Sequence, residues 1–230
     1  MESIETRLAH IKNEIHMAAK ACGRDPETID LVAVSKRKSS DAVALAIQAG
    51  VTLLGENYIQ EAMDKIDTIG NTPASWHFIG HLQSNKAKFA VQYFDMIHTV
   101  DTLKLAREIN KQAAKINKRQ AILMQVNIAD EASKSGTTAA KALELARDIA
   151  PLDHVHLTGL MGMPPFFDDP EGARPYFKDM ATLFTTIQGK KIPGIDLKHL
   201  SMGMSGDFKV AIEEGSTLVR IGTAIFGSRE

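Results

Sequence analysis

Short apolar segments alternate with amphipathic helical segments along nearly the whole sequence. Eight segments have the length and composition of buried strands, and they lie at residues 31–36, 51–55, 76–80, 94–100, 121–127, 155–161, 196–200 and 218–221. Helical periodicity occupies the intervals, and one further amphipathic helix, with apolar residues from 4 to 22, precedes the first strand. Regular alternation of this kind favours parallel strands, because each helix returns the chain to the starting edge of the sheet.

Eight strand–helix units in 230 residues predict an α/β protein with a single domain, 1–230, folded as a closed (β/α)8 barrel of the TIM type. The alternative is a doubly wound open sheet, which normally has a glycine-rich dinucleotide-binding turn after its first strand. Here the corresponding turn, residues 35–38, is Ser-Lys-Arg-Lys. The barrel is therefore the preferred prediction.

Composition narrows the functional class. The formal net charge is −1, which argues against a nucleic-acid or anionic-membrane surface as the main partner, because such surfaces need a basic excess. The only cysteine is Cys22, so an internal disulfide and a cysteine-rich zinc site are excluded. The histidine pairs 77/81 and 154/156 have no evident third ligand, and we expect no metal. With no apolar run of membrane-spanning length and two acids near the start, we expect a cytoplasmic protein.

The first predicted strand, Leu-Val-Ala-Val-Ser-Lys at residues 31–36, is an apolar run that ends in a cation. Desolvating an ammonium costs more than one apolar contact returns, so Lys36 lies either at the solvated strand end or in a site that uses its chemistry. Burial favours the neutral amine of a lysine, which can attack a carbonyl to form a Schiff base. Taken alone, the stretch favours a lysine that simply reaches water.

Two glycine- and hydroxyl-rich segments follow the seventh and eighth predicted strands. They are residues 201–206, Ser-Met-Gly-Met-Ser-Gly, and residues 222–224, Gly-Thr-Ala. Phosphate commonly binds at these two loops of a barrel, where backbone N–H groups and hydroxyls can surround an anion. Either loop alone fits an ordinary turn equally well. Together they predict a phosphate site that includes Ser201, Gly222 and Thr223.

Arg220 lies inside the apolar eighth strand, and a buried arginine needs a partner because it stays charged. A structural ion pair inside the barrel is one interpretation. Glu56, Asn57 and His77, at the ends of the second and third strands, could supply that partner or contact a ligand. Each of these polar residues alone is more often a satisfied polar group than a site residue.

A lysine after the first strand, a phosphate site and an arginine on the eighth strand meet at one mouth of the predicted barrel. Pyridoxal 5′-phosphate (PLP) fits all three: its aldehyde would bond Lys36, its phosphate would occupy the two loops, and its ring nitrogen would face Arg220. An arginine at that nitrogen disfavours its protonation and weakens the ring as an electron sink. Strong carbanion chemistry is therefore not expected.

Five segments resemble the pyridoxal phosphate homeostasis protein family, which is of the YggS and PROSC type. They are VSK at 34–36, GENYIQE at 55–61, HFIGHLQSNK at 77–86, GLM at 159–161, and residues 200–227. The resemblance spans nearly the whole chain. It implies a fold type III barrel like the N-terminal domain of alanine racemase, with PLP held as an internal aldimine. Family members often have Thr-Lys-Pro after the lysine, where this chain has Arg-Lys-Ser at 37–39.

Carried onto matching positions, the resemblance implies that Lys36 forms the aldimine and that Arg220 faces the pyridine nitrogen. It also implies that Ser201, Gly222 and Thr223 hold the phosphate, with Asn57 near the cofactor ring.

The preferred function is a PLP-binding protein of intracellular vitamin B6 homeostasis that buffers or delivers the cofactor without strong catalysis. PLP-dependent apoenzymes are the candidate recipients. The alternatives are a weak PLP-dependent racemase, a Schiff-base aldolase, and a protein-interaction barrel that binds no cofactor. A racemase that looks like this takes its second base from a C-terminal β-domain, and the sequence ends at Glu230. We therefore expect that domain to be absent and the protein to be a monomer. Lys38 and Lys134 are left without an assigned role.

Overall fold

The structure is a computed structural model that describes residues 2–131 and 134–227, so Ser133 of the loop before Lys134 lies outside it. Within these ranges one sheet contains nine parallel strands. Their bounds are β1 (Asp30–Val34), β2 (Leu53–Glu56), β3 (Ser75–Phe78), β4 (Met96–Val100), β5 (Gln120–Asn127), β6 (Thr137–Thr138), β7 (Val155–Gly162), β8 (His199–Met204) and β9 (Leu218–Ile221).

Eight of these strands close into a barrel. Their order is β4-β3-β2-β1-β9-β8-β7-β5, and a further pairing of β4 with β5 joins the two ends. The two-residue β6 pairs only with the end of β5 and takes no part in the closure. The predicted (β/α)8 barrel is confirmed.

The helices alternate with the strands and cover the outside of the barrel. They are α1 (Ile4–Ala21), α2 (Ser40–Gln48), α3 (Ile59–Ile69), α4 (Ala87–Tyr93), α5 (Leu103–Lys115), α6 (Ala139–Ile149), α7 (Arg174–Gly189), α8 (Phe208–Glu213) and α9 (Thr223–Phe226). Helix α1 is the predicted additional N-terminal helix. Its apolar stripe buries Leu8, Ile11 and Ile15, and Arg7 Nε donates to the Ile225 carbonyl oxygen at 2.7 Å. This bond ties α1 to α9. No helix in these ranges is both long and apolar enough to span a membrane.

Apolar side chains divide between two layers. The larger layer lies between the sheet and the helices. The smaller one fills the barrel interior with buried side chains from five strands, namely Val32, Met96, Leu123, Met161 and Leu218. These residues lie in or near the amino-terminal halves of most of their strands, so that half of the interior is closed. The carboxyl-terminal half remains for polar groups.

The seventh barrel strand differs from its prediction. Residues 196–198 precede the strand, and β8 continues through Met204, so Ser201 lies within the strand and not in the loop. Glycine and serine made residues 201–204 resemble a turn, but β8 pairs with β7 as far as Ser201 and, after a register shift, with β9 as far as Met204. Gly203 has φ +89°, and a Cβ there would lie 2.5 Å from the Cβ of Ala211 on α8, so glycine permits the bend of the strand against that helix.

Substitution of Gly159 can test how closely the backbones of β7 and β8 approach each other. A Cβ at this position would lie 1.9 Å from the carbonyl oxygen of His199, which is backbone and cannot rotate away. We expect Gly159→Ala to reduce the free energy of unfolding by roughly 3 kcal/mol, measured by urea denaturation. The control is Gly189→Ala at the end of α7, where the added Cβ meets nothing within 4 Å. Equal stability of the two variants would contradict the close approach.

Candidate functional site

A cavity of about 760 Å³ opens at the carboxyl ends of the barrel strands. This size is within the range of small-molecule sites, roughly 300–1,000 Å³. Its wall combines polar groups of the strand ends with an apolar proline-rich segment. The lining residues used below are Asn57, Lys134, Asp207 and Thr223. The cavity therefore occupies the end of the barrel where the sequence predicts a site.

Arg220 on β9 points into the polar half of the barrel. Its side chain is almost fully buried, with Nη1 donating to Ser201 Oγ at 2.6 Å and Nη2 donating to the Gly162 carbonyl oxygen at 3.1 Å. No carboxylate in the described ranges forms an ion pair with it. Burial lowers the pKa of Arg220 to about 10, while the charge of Asp207 acts in the opposite direction. The guanidinium is still charged at neutral pH, and its partners are neutral oxygens.

Two histidines extend this polar chain. His98 Nδ1 lies 3.1 Å from Ser201 Oγ, and His98 Nε2 lies 3.1 Å from His77 Nδ1. Burial lowers the pKa of His77 to about 4 and holds the pKa of His98 well below its ordinary range. Both imidazoles are therefore neutral at neutral pH. Among the hydrogen-bonded side chains of His77, His98, Ser201 and Arg220, only the Arg220 guanidinium is therefore positively charged.

His98 was not a predicted site residue. It lies within β4, Met-Ile-His-Thr-Val, where every residue is buried. A histidine in the middle of an apolar strand was the available signal, because a buried imidazole needs hydrogen-bond partners. The partner could not be identified from sequence, since Ser201 is 103 residues away.

Lys36 follows β1 at the same end of the barrel. Val32 belongs to the apolar layer inside the barrel, and strand alternation from Val32 through Val34 assigns Lys36 to the inner side. Its side chain is partly buried, and its ammonium has no hydrogen-bond or ion-pair partner in the described ranges. Lys36 is not among the residues that line the cavity. Arg37, next to it, has φ +59°, a left-handed conformation that is uncommon for residues other than glycine.

Glu56 does not contact Arg220, although the sequence analysis considered that pairing. Strand alternation turns the Glu56 side chain outwards to α3, where Lys65 Nζ donates to its Oε1 at 2.7 Å. Ser35 Oγ donates to the same oxygen at 2.6 Å. Burial raises the pKa of the Glu56 carboxyl, whereas both hydrogen bonds act in the opposite direction. The charge of Glu56 is thus engaged outside the barrel.

The remaining predicted residues surround the mouth. Asn57 and Thr223 line the cavity, and Asn57 Oδ1 is buried with no hydrogen-bond partner in the described ranges. A Cβ at Gly222 would lie 3.1 Å from the Val34 carbonyl oxygen, so Gly222 lets β9 end directly beside the Lys36 strand. Of the six predicted residues, Ser201 and Arg220 are joined by a side-chain hydrogen bond.

Two lysines have other neighbours. Lys134 lines the cavity wall and pairs with Glu131 at 2.7 Å. Lys38 donates its backbone N–H to the Ser35 carbonyl oxygen at 3.1 Å. Among residues 2–131 and 134–227, no three histidine, cysteine or acidic side chains form a group that could hold a metal ion.

Comparison with known proteins identifies relatives along the whole chain. The model of the alanine racemase N-terminal domain family matches residues 6–230. The pyridoxal phosphate homeostasis protein of Vibrio alginolyticus is 45% identical over 234 residues, covering 100% of this chain and 99% of the relative.

Solved structures agree with this fold. PipY of Synechococcus elongatus, solved with PLP bound, is 31% identical with a TM-score of 0.86, covering 98% of this chain and 100% of PipY. An alanine racemase of Clostridium difficile has a TM-score of 0.69 at 15% identity, covering 93% of this chain and 56% of the racemase. The similarity to the racemase shows a shared fold alone.

The neutral histidines predict a pH effect on stability. The pKa of His77 falls from 6.5 to about 4 on folding, so between these values the unfolded chain binds a proton that the folded chain excludes. His77 therefore destabilises the fold as the pH falls through this window, by up to about 3 kcal/mol. Urea unfolding at pH 7 and pH 4.5 should show a smaller loss of stability for His77→Gln than for the wild type.

The control for this measurement is His16→Gln, which removes an exposed histidine on α1. Its loss of stability between the two pH values should match that of the wild type. An identical loss for His77→Gln would contradict a neutral, buried His77.

Proposed function

The chain belongs to the pyridoxal phosphate homeostasis protein family, and from this premise we propose that it binds PLP through Lys36. The bound cofactor is held for buffering or delivery in vitamin B6 homeostasis, without strong catalysis. One observation carries the proposal: inside a barrel with a cavity at its mouth, the buried, charged Arg220 has only neutral oxygens as hydrogen-bond partners among the described residues. Such a guanidinium is suited to a ligand with polar acceptors.

The residues at the mouth fit the cofactor. PLP supplies an aldehyde that a lysine amine can bond and an aromatic ring that can accept electrons. Lys36 offers an amine with no partner in the described ranges, and Asn57 Oδ1 is a buried acceptor that lacks a donor. A buried polar atom without a partner is costly, and a ligand that reached it would remove this cost. Both groups support a polar ligand at this end.

We propose that Ser201, Gly222 and Thr223 hold the phosphate of PLP. Ser201 Oγ accepts from Arg220 and lies beside His98, so its hydroxyl proton is available to an anion when His98 donates to it instead. Thr223 begins α9, and its N–H donates no hydrogen bond in the described ranges. Gly222 allows the chain to pass close to β1 at this point. These donors are neutral, and Arg220 adds the positive charge behind Ser201.

Arg220 also favours storage of the cofactor rather than catalysis with it. With its pKa at about 10, the guanidinium donates hydrogen bonds and accepts none at neutral pH. Facing a pyridine nitrogen, it would disfavour protonation of that nitrogen and so limit the ring as an electron sink. The relatives carry the same implication in their name, homeostasis protein. The distant racemase shares the fold and contributes no activity to the argument.

The proposal extends to partners and location. PLP-dependent apoenzymes are the proposed recipients, and the protein is proposed to be a cytoplasmic monomer. The exposed, free Cys22 is compatible with a reducing compartment. Size-exclusion chromatography with light scattering tests the monomer.

Substitution of the lysine tests the proposed function. Wild-type protein mixed with PLP should develop a visible absorbance band, and borohydride should convert the imine to a stable amine on Lys36 detected by peptide mass spectrometry. Lys36→Ala should lose both signals because no other amine occupies its position. Lys38→Ala, which leaves Lys36 in place, is the matched control. A colourless protein that cleaves sugar phosphates, or turnover of alanine at ordinary enzyme rates, would overturn the proposal.

A further inference from the structure

Lys65 on α3 holds the backbone beside Lys36. Its Nζ donates to the Ser35 carbonyl oxygen at 2.7 Å, to Glu56 Oε1 at 2.7 Å and to Glu61 Oε1 at 2.6 Å. An ammonium has three N–H donors, so all of them are used. The Ser35 carbonyl belongs to the peptide group that enters Lys36. Lys65 therefore fixes that peptide group from outside the barrel.

Glu61 holds the peptide group on the other side of the same residue. Its Oε1 accepts from Lys65 Nζ and also from the backbone N–H of Arg37, which belongs to the peptide group that leaves Lys36. One lysine–glutamate pair, four residues apart on α3, thus contacts both peptide groups that flank Lys36. Arg37, whose N–H Glu61 accepts, has φ +59°, a conformation that is strained for a residue with a side chain.

Stability alone does not account for this arrangement. The Lys65 side chain is 5% exposed and the Glu56 side chain is fully buried, yet Glu56 Oε2 has no hydrogen-bond partner in the described ranges. Apolar residues of similar size often replace a buried ion pair without loss of stability. Lys65 and Glu61 serve a geometric role that apolar residues could not, because only polar groups can fix the Ser35 carbonyl oxygen and the Arg37 N–H.

We propose that Lys65 and Glu61 are positioning residues for Lys36, and that they set how readily its amine bonds an aldehyde ligand. The inference rests on the proposed function. In the step concerned, the neutral Lys36 Nζ adds to the aldehyde carbon, a C–N bond forms, and the aldehyde oxygen leaves as water to give C=N. Holding the backbone on both sides of Lys36 limits the positions of its Cα and so keeps the amine near the mouth.

Binding of two ligands can distinguish an effect on the position of Lys36 from an effect on the whole site. PLP carries the aldehyde, whereas pyridoxine 5′-phosphate has the same ring and phosphate with an alcohol in its place. Glu61→Ala removes the acceptor for Arg37 N–H from a side chain that is 25% exposed, so the fold should tolerate it. We expect PLP to bind about tenfold more weakly and the visible band to form more slowly, with pyridoxine 5′-phosphate affinity unchanged.

The chain offers a matched control. Glu14 on α1 is also 25% exposed and pairs with a lysine, Lys209, but it is not among the residues that line the cavity. Glu14→Ala should bind both ligands as the wild type does. Glu61→Gln keeps an acceptor oxygen and should restore most of the PLP affinity. Circular dichroism of each variant verifies that it is folded.

The outcomes are distinct. Unchanged PLP affinity and rate in Glu61→Ala would overturn the inference, and so would an equal weakening of both ligands, because the site as a whole would then be affected. Loss of PLP affinity alone, restored by Glu61→Gln, would support it. Failure of the wild type to bind either ligand would instead refute the proposed function on which the inference rests.

Discussion

A charged guanidinium inside the barrel is the constraint on which the rest of the site depends. Arg220 is 4% exposed, and no carboxylate in the described ranges neutralises it. Its desolvation must be offset by oriented neutral oxygens, and β7 and β8 supply them through Gly162 and Ser201. His98 and His77 then continue the hydrogen bonding across the interior to β4 and β3. Arg220, Ser201, His98 and His77 therefore form one connected network inside the barrel.

Polarity changes along the barrel axis, and this change fixes where a ligand can bind. Apolar side chains of the inner layer, such as Val32 and Leu218, fill the interior towards the amino ends of the strands. The carboxyl ends hold the polar network and the cavity. The same division explains why Lys36, Asn57 and Thr223 all follow strands. Residues after the strands reach the open end, and residues within the strands support it.

The sequence was sufficient for the fold because alternation of apolar strands with amphipathic helices has few closed solutions. It was less reliable where local composition and long-range pairing disagreed. Residues 201–204 have the composition of a turn, yet they continue β8 because β9 pairs with this segment as far as Met204, while the pairing with β7 reaches Ser201. Sequence pattern also could not assign partners. Glu56 was considered beside Arg220, but the direction of its side chain depends on strand register, which places it against Lys65.

The network inside the barrel and the lysine–glutamate pair outside it contribute to holding a cofactor in different ways. Arg220 would keep a pyridine ring a poor electron sink, which slows any reaction that needs a carbanion. Lys65 and Glu61 fix the backbone at Lys36, which favours re-formation of a covalent bond whenever it breaks. Neither contribution supplies a proton to a reacting carbon. Under the proposed function, Arg220 limits turnover, and Lys65 and Glu61 lengthen the residence of the cofactor, as a protein that buffers PLP requires.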